Sequence, residues 1–532
     1  MISVFYDITR IISRKDSSIP TGIDRVDIKY AYHFLKSNFC NAFFIFFYNG
    51  KFFLCDKKIS EHILETLHNR WIVGSNTHEI KLQTTFDWLI KNHLENARNA
   101  LSNKEKLNKI DASLFGQLAY VGKHGGGYYI NTSHHGIGQI DAYYIFKTLG
   151  KLKIIFFVHD IIPIDFPEYV RNGDEITHQK RIDVISCYSD LILVNSEYTK
   201  NRLIDNMNAR GFEPCDIKVL HIGVEDNFYK TREDNLSPNL LWLKNSNYFV
   251  YTGTIEPRKN HLMLLNLWRQ YFTDSPNPLY LVLIGKRGWN NQIVFDMLDR
   301  SPKLKKYVIE LSDLSDTIMA SIIKNSKGVL FPAFVEGWGM PLVEALTMKV
   351  PVLAADIFAL RESGNNLAYY IDPVDTMKWK NAIEKLAYDE HFRKQLIDNS
   401  FKFIAPKWED TFGDLDNLLE INYKIENKIS SAYFQKQADK KFRFFEKLKI
   451  KKISSTDIIA DKFRRSLSID KKIENSNIHS NIIEKFIIYL VNKLSEKKRR
   501  KIKKFFRDPY SFFHDSKKPF IKFITKAIDE IE

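Results

Sequence analysis

"GVLFPAFVEGWGMPLVEALTMKVPVLAAD", Gly328 to Asp356, starts on an apolar run, passes two glycines and a proline, continues with helical spacing and ends on a second apolar run. Two short runs rich in Val, Leu and Ala around a helix describe a βαβ unit, whose strands are parallel and buried on both faces. Glu336 then falls in the loop after the first strand, and Glu344 one turn into the helix that Pro341 opens, where proline's fixed φ and missing N–H cost little. Gly337 and Gly339 let backbone amides approach a ligand, and a helix start favours an anion, whereas a carboxylate beside a phosphate is repelled. The stretch therefore predicts amides for a phosphate and two carboxylates, within reach of one pocket, for sugar hydroxyls. A surface loop whose Glu complements the helix dipole is the plainer alternative.

The same beat extends upstream. YFVYTG precedes HLMLLNLWRQYF, LYLVLIG precedes NQIVFDMLDR, and YVIEL precedes DTIMASIIKNS. That alternation predicts a Rossmann-like domain from Asn247 to Ala405. The first half is less regular but similar: ISVFYDIT before a helix near Ile23, then YYINTS, KIIFFVHD, DLILVNS and IKVLHIG, with Asn49-Gly50 as a hairpin turn between FFIFFY and KFFL. The expectation is an α/β chain of two Rossmann-like domains facing a cleft, 1–240 and 241–425, the second with a closing helix and the linker near 227–246. A third segment, 426–532, follows. Ligands of such sheets bind beyond the carboxyl ends of the strands.

A chain of 532 residues, 44% hydrophobic and 14% aromatic, is too long for one core and has ample material for two. Cys40, Cys55, Cys187 and Cys215 are scattered without a C-x-x-C pair, which fits a reducing compartment and argues against a zinc site or disulfide framework. The opening MISVFYDITRIISRKD lacks a basic leader with a cleavage site, and no uncharged apolar run approaches the ~18 residues that cross a bilayer. A cytoplasmic protein is expected. The net charge of +15 is local: from Glu426 onward there are 28 Lys and Arg against 14 Asp and Glu, while the rest holds 51 against 50.

Four further stretches fall at strand ends. In "YTGTIEPRKNH", Tyr251 to His261, Arg258 and Lys259 reach a helix start, where cations and free amides together hold a diphosphate; two solvated charges are the bland alternative. In "TGIDRV", Thr21 to Val26, Gly22 brings the first domain's backbone toward the same diphosphate, or makes a plain turn. In "FFVHDIIPIDFPEY", His159 ends a buried strand at the cleft rim, or is an ordinary core histidine, and Asp160 braces the loop. "NTSHHGIGQ", Asn131 to Gln139, offers His134 or His135 to an acceptor, against ordinary loop histidines. The only D-x-D, Asp414-Leu415-Asp416, lies in a helical segment, and "GKHGGGYY" lacks the Lys-Ser/Thr ending of a P-loop. Neither a metal nor a cofactor is called for.

In this order the stretches resemble a retaining glycosyltransferase of the GT-B fold, in the group often called family 4. EGWGMPLVE resembles that family's E-x7-E motif, with PVLAADIFALRESG after it; GTIEPRKN and IGKRGW resemble its donor-phosphate loop and the next strand end; VHDIIP resembles its N-terminal histidine motif. The resemblance covers about residues 1–425. It implies that Glu336 contacts the donor sugar, Glu344 the ribose, and Arg258 and Lys259 the diphosphate. It further implies backbone donors from Gly339, Met340 and Pro341, Gly22 against the phosphates from the other domain, and His159 near the sugar. Glu336, His159, Lys259 and Arg258 are then the catalytic set, with no metal. One departure is visible: the family's glycine before the next strand's proline is absent, the run being Met348-Lys349-Val350-Pro351, which leaves the shape of that turn open.

The implied substrates are a nucleotide sugar and a glycan or lipid-linked acceptor of capsule or lipopolysaccharide, with mannose preferred from the EPRKN, GKRGW and HDIIP forms. In the basic tail, ten Lys and Arg from Lys497 to Lys518 interleave with phenylalanines after the apolar NIIEKFIIYLVNKL. Such a segment binds an anionic membrane surface, here through residues 481–526 on the inner face of the cytoplasmic membrane, unless it is a solvated hairpin or oligomer contact. Two other classes remain open. A nucleotide-sugar epimerase of GT-B architecture would need no acceptor, and a nucleic-acid binder would use the tail and leave the phosphate loops idle; no nucleic-acid partner is expected.

Overall fold

The computed structural model describes residues 1–73, 110–230, 236, 238–273 and 277–426. The basic segment from 427 on, and the membrane face expected at 481–526, lie outside the described residues.

The apolar runs of the first half form β1 (Ile2–Asp7), β2 (Cys40–Tyr48), β3 (Lys51–Leu54), β4 (Gly127–Asn131), β5 (Leu152–Val158), β6 (Leu191–Val194) and β7 (Asp216–Val219), in the order β3-β2-β1-β4-β5-β6-β7. All pairs are parallel except β2 with β3, where Tyr48 faces Lys51. Asn49 at φ 46 and Gly50 at φ 88 supply the two left-handed positions of the tight hairpin turn expected there.

The second half forms β8 (Tyr248–Thr252), β9 (Tyr280–Ile284), β10 (Val308–Leu311), β11 (Gly328–Phe331), β12 (Val352–Ala355) and β13 (Tyr369–Ile371), all parallel, ordered β10-β9-β8-β11-β12-β13. This is the 3-2-1-4-5-6 order of a doubly wound sheet, whose strand order reverses between β8 and β11. The first sheet reverses between β1 and β4. At such a reversal the loops from adjacent strands leave in opposite directions and open a crevice; the loops after β8 and β11 carry the phosphate and carboxylate stretches and the loop after β4 carries His134 and His135, while His159 ends the neighbouring β5.

The closing helix Trp408–Glu426 follows the second domain in sequence but packs on the first. Tyr128 donates to the Leu419 carbonyl at 2.8 Å, Val224 N to Pro406 O at 3.0 Å, and a Cβ on Gly223 would meet Trp408 N at 2.4 Å. Asp416, the last acid of the D-x-D, pairs with His33 at 2.9 Å. In the Met348-Lys349-Val350-Pro351 turn, whose shape the sequence left open, Lys349 takes the left-handed φ of 61. Its Nζ compensates by donating to the carbonyls of Ser400 (3.0 Å) and Phe403 (3.2 Å).

Candidate active site in the interdomain cleft

Three residues of the second domain meet at its strand-order reversal. Pro257–Lys259 is a single helical turn after β8, and Asn260 at φ 56 redirects the chain into the helix His261–Leu267. Arg258 and Lys259 thus stand three and two residues before that helix. Both turn toward the loop after β11. Arg258 Nη1 lies 2.8 Å from Glu336 Oε1, Lys259 Nζ pairs with the same oxygen, and Arg258 Nε reaches Glu256 at 2.7 Å. Phe334 N donates to Arg258 O at 2.8 Å and Arg258 Nη1 to Val335 O at 3.0 Å, which sews the loops together. Glu336, Lys259 and Glu256 are buried, so neither the surface-loop nor the solvated-charge reading holds.

Burial pushes the Glu336 carboxyl up, but the charges of Arg258 and Lys259 more than offset it and leave it below the usual carboxylate value. Lys259 is held below the usual ammonium value by burial, with Glu336 opposing. Glu256, which the sequence reading passed over, is raised by burial and keeps one buried oxygen without a partner.

Gly339, at φ 98, turns the chain into the helix Met340–Thr347. Among the described residues none of the amides from Glu336 to Met340 donates to a protein acceptor. Gly337, Trp338 and Gly339 are nevertheless buried. Unpaired amides in buried backbone are the signature of a ligand cradle. Pro341 has no N–H, so the donors expected from Gly339 to Pro341 reduce to Gly339 and Met340, with Pro341 fixing the helix start.

Glu344, on that helix, faces different neighbours from Glu336. It lines a small cavity with Arg25, Glu225, Trp338 and Trp408, and Glu336 is not among the lining residues. Burial, with Asp316 and Glu225 adding and Arg25 opposing, pushes its carboxyl up to about 7. Arg25 itself grips Asp316 through both terminal nitrogens, an interdomain pair that no local motif announces.

The first domain closes on this loop. Gly22 is the first residue of the helix Gly22–Lys36 rather than a loop position, capped by Thr21. A Cβ there would lie 2.5 Å from Met340 Cε, and one on Gly337 would lie 2.5 Å from the His159 carbonyl oxygen. His159 is buried, donates Nε2–H to Thr132 O at 2.8 Å and is held near 4 by burial, so the ring is neutral with Nδ1 as acceptor. His134 packs between His159 and His178, at ring separations of 5.6 and 5.0 Å, with Nε2 buried and unpartnered. His135 lies 3.4 Å from Arg10. His178 and Arg181, on the helix Asp174–Tyr188, complete this corner and had no sequence signal beyond a helical spacing.

Residues 233–403 match the family model described as glycosyl transferases group 1. The serotype-specific mannosyltransferase WbdA of Escherichia coli is 28% identical over 242 residues, 42% of this chain and 29% of its own. O-antigen chain mannosyltransferase B of Escherichia coli is 24% identical over 253 residues, 46% of this chain and 62% of its own. The chain thus spans less than two thirds of either relative. Among solved structures, HepE of Anabaena aligns at a TM-score of 0.53 with 15% identity, covering 79% of this chain and all of that one. Sucrose-phosphate synthase from Thermosynechococcus elongatus aligns at 0.52 with 13% identity, covering 80% and 100%. Residues 233–403, about a third of the chain, are thus similar to the glycosyl transferases group 1 family, and the fold is GT-B.

Proposed function

We propose that this chain transfers a sugar, with retained anomeric configuration, from a nucleoside-diphosphate sugar to a glycan or lipid-linked acceptor of a bacterial surface polysaccharide, and needs no metal ion to do so. The carrying observation is the run of unpaired amides from Glu336 to Met340, beside buried Arg258 and Lys259, at the reversal point of the second sheet. Without a donor, Glu336 and Glu256 serve as the counter-ions. A bound diphosphate takes over Arg258 and Lys259 and frees Glu336 for the sugar hydroxyls, while Glu344 accepts from the ribose.

The bond from the anomeric carbon to the diphosphate oxygen breaks as negative charge grows on the leaving group, and fixed cations and amides stabilise that charge without reorganising. The acceptor hydroxyl attacks from the same face, and its proton passes to a leaving phosphate oxygen. His159, neutral, presents an acceptor nitrogen to the sugar. The two mannosyltransferase relatives support mannose as the sugar, and GDP-mannose is the donor proposed with it. No described helix is long and apolar enough to cross a membrane. The basic residues 481–526 are the proposed means of holding the enzyme to the anionic inner face of the cytoplasmic membrane.

The test is a thermal-shift panel of UDP, GDP, ADP and their common sugars in EDTA, on the parent and on Lys259→Ala and Glu344→Ala. A shift selective for one base and lost in both variants supports a metal-independent donor site. No shift from a folded sample with any nucleotide overturns it.

A further inference from the structure

Three arginines of the first domain, two of them after β1 at its reversal point, are unused by the donor. Arg10 and Arg14 belong to the short helix Thr9–Ser13 and its C-cap after β1, and Arg181 to the helix Asp174–Tyr188. One carboxylate serves the first two: Asp24 lies 2.7 Å from Arg10 Nε and 3.4 Å from Arg14 Nε. Asp24 is further committed to the Thr21 amide and hydroxyl, both at 2.8 Å, as the capping box of the Gly22 helix. Arg181 makes no ion pair or hydrogen bond among the described residues, although it is half-buried.

Its surroundings are poor in counter-charge. Burial lowers the Arg181 guanidinium, Asp174 opposes, and Arg10 adds repulsion. Burial, with Arg10 and Arg181 contributing, also lowers His134 and His135, so neither imidazole adds a charge at neutral pH. His134 Nε2 is left buried without a partner. A half-buried arginine without an ion pair and a buried ring nitrogen without a partner among the described residues are both unfavourable, and one anionic ligand would satisfy both.

We propose that Arg181, Arg10 and Arg14, with His134 donating from Nε2, bind a phosphate group carried by the acceptor. This rests on the transferase reading above and names the class of its second substrate. A guanidinium matches two phosphate oxygens at once, whereas a neutral glycan would leave the excess charge unmatched. The location separates this group from the donor's. Arg258 and Lys259 belong to the other domain, and Thr21-Gly22, adjoining Asp24, packs on Met340 at the edge of the donor loop. The phosphate would thus sit beside the donor diphosphate. Its bearer is a phosphorylated sugar or the phosphate of a lipid-linked acceptor.

The test is titration calorimetry on the full chain with excess GDP and UDP present, using glucose 6-phosphate for the first source, farnesyl diphosphate for the second and glucose as the uncharged control. At least one phosphate is expected to bind while glucose does not, and Arg181→Gln is expected to weaken it tenfold or more, with Arg181→Lys recovering part. Arg181→Gln removes an unpaired charge, so its thermal midpoint should not fall, and its nucleotide binding should match the parent's. The probe that binds identifies the source. Failure of both phosphates to bind, equal affinity in Arg181→Gln, or displacement by nucleotide would overturn the proposal. A parent that binds phosphate through Arg181 but no nucleotide would instead overturn the donor reading and leave this site standing.

Discussion

Arg25 and Asp316, 291 positions apart, form a two-pronged ion pair that joins the two domains beside Glu344. Their side chains are only 12% and 6% exposed, so removing one partner strands a buried charge. Such losses run to roughly 3–5 kcal/mol, while replacing both partners with apolar groups is often close to neutral. Arg25→Ala and Asp316→Ala are each expected to lower urea stability by about 3 kcal/mol, and Arg25→Met with Asp316→Leu to recover most of it. Single variants as stable as the parent would mean that water reaches the pair.

Glu344 supplies a pH signature. Its folded-state value of about 7 lies above the ordinary 4.5, so its contribution to stability is complete below 4.5 and is lost as pH rises through 7. Glu344→Gln should therefore gain stability over the parent above pH 7 and gain none below 4.5. Ribose hydroxyls donating to the carboxylate favour its ionised form, so nucleotide binding at pH 7 should release a proton. Calorimetry in Hepes and in Tris reads this as a heat that depends on the buffer, absent in Glu344→Gln. A parent whose heat is the same in both buffers would remove Glu344 from the nucleotide contact.

Glu336 behaves in the opposite sense. Two cations hold it below its ordinary 4.5, so its stabilisation is complete above that value and falls away as pH drops below it. Glu336→Gln should flatten the acid limb of stability between pH 5 and 3 as well as lowering stability at pH 7, where Arg258 and Lys259 lose a buried counter-ion. Urea midpoints across that range measure both effects. An unchanged acid limb would show that the ion pairs do not persist in solution.

Much of the fold was legible because a buried parallel strand must be a short apolar run, and twelve of the thirteen described strands lie in such runs. β13, only Tyr369–Ile371, is too short to stand out from its surroundings. The Arg258, Lys259 and Glu336 cluster was legible in part: strand ends with glycines and cations marked the loops, but not that the cations would pair with the carboxylate. Arg25 with Asp316, and Arg181 near Arg10, were invisible because their partners meet only through tertiary folding. The direction of the closing helix was equally hidden, since its apolar face fits either domain until Trp408 is seen against Gly223.

Two glycines with equally tight surroundings should respond differently to a methyl group. At Gly22 the obstacle, 2.5 Å from an added Cβ, is the end of the Met340 side chain, which can swing aside. At Gly337 the obstacle at the same distance is the His159 carbonyl oxygen, with Asp160 Cβ at 3.0 Å, and that backbone is fixed by Asn195 donating to the same oxygen at 2.8 Å. Ser196 further ties the first domain to the Gly337 carbonyl at 2.7 Å. Gly337→Ala must therefore displace the donor loop or part the domains, each of which keeps its own sheet. It should enlarge the radius of gyration in X-ray scattering and lower sugar transfer tenfold or more while nucleotide still binds. Gly22→Ala should leave the radius unchanged and reduce transfer only a few-fold. Equal effects of the two substitutions would show that transfer does not require the contact between the donor loop and the end of β5.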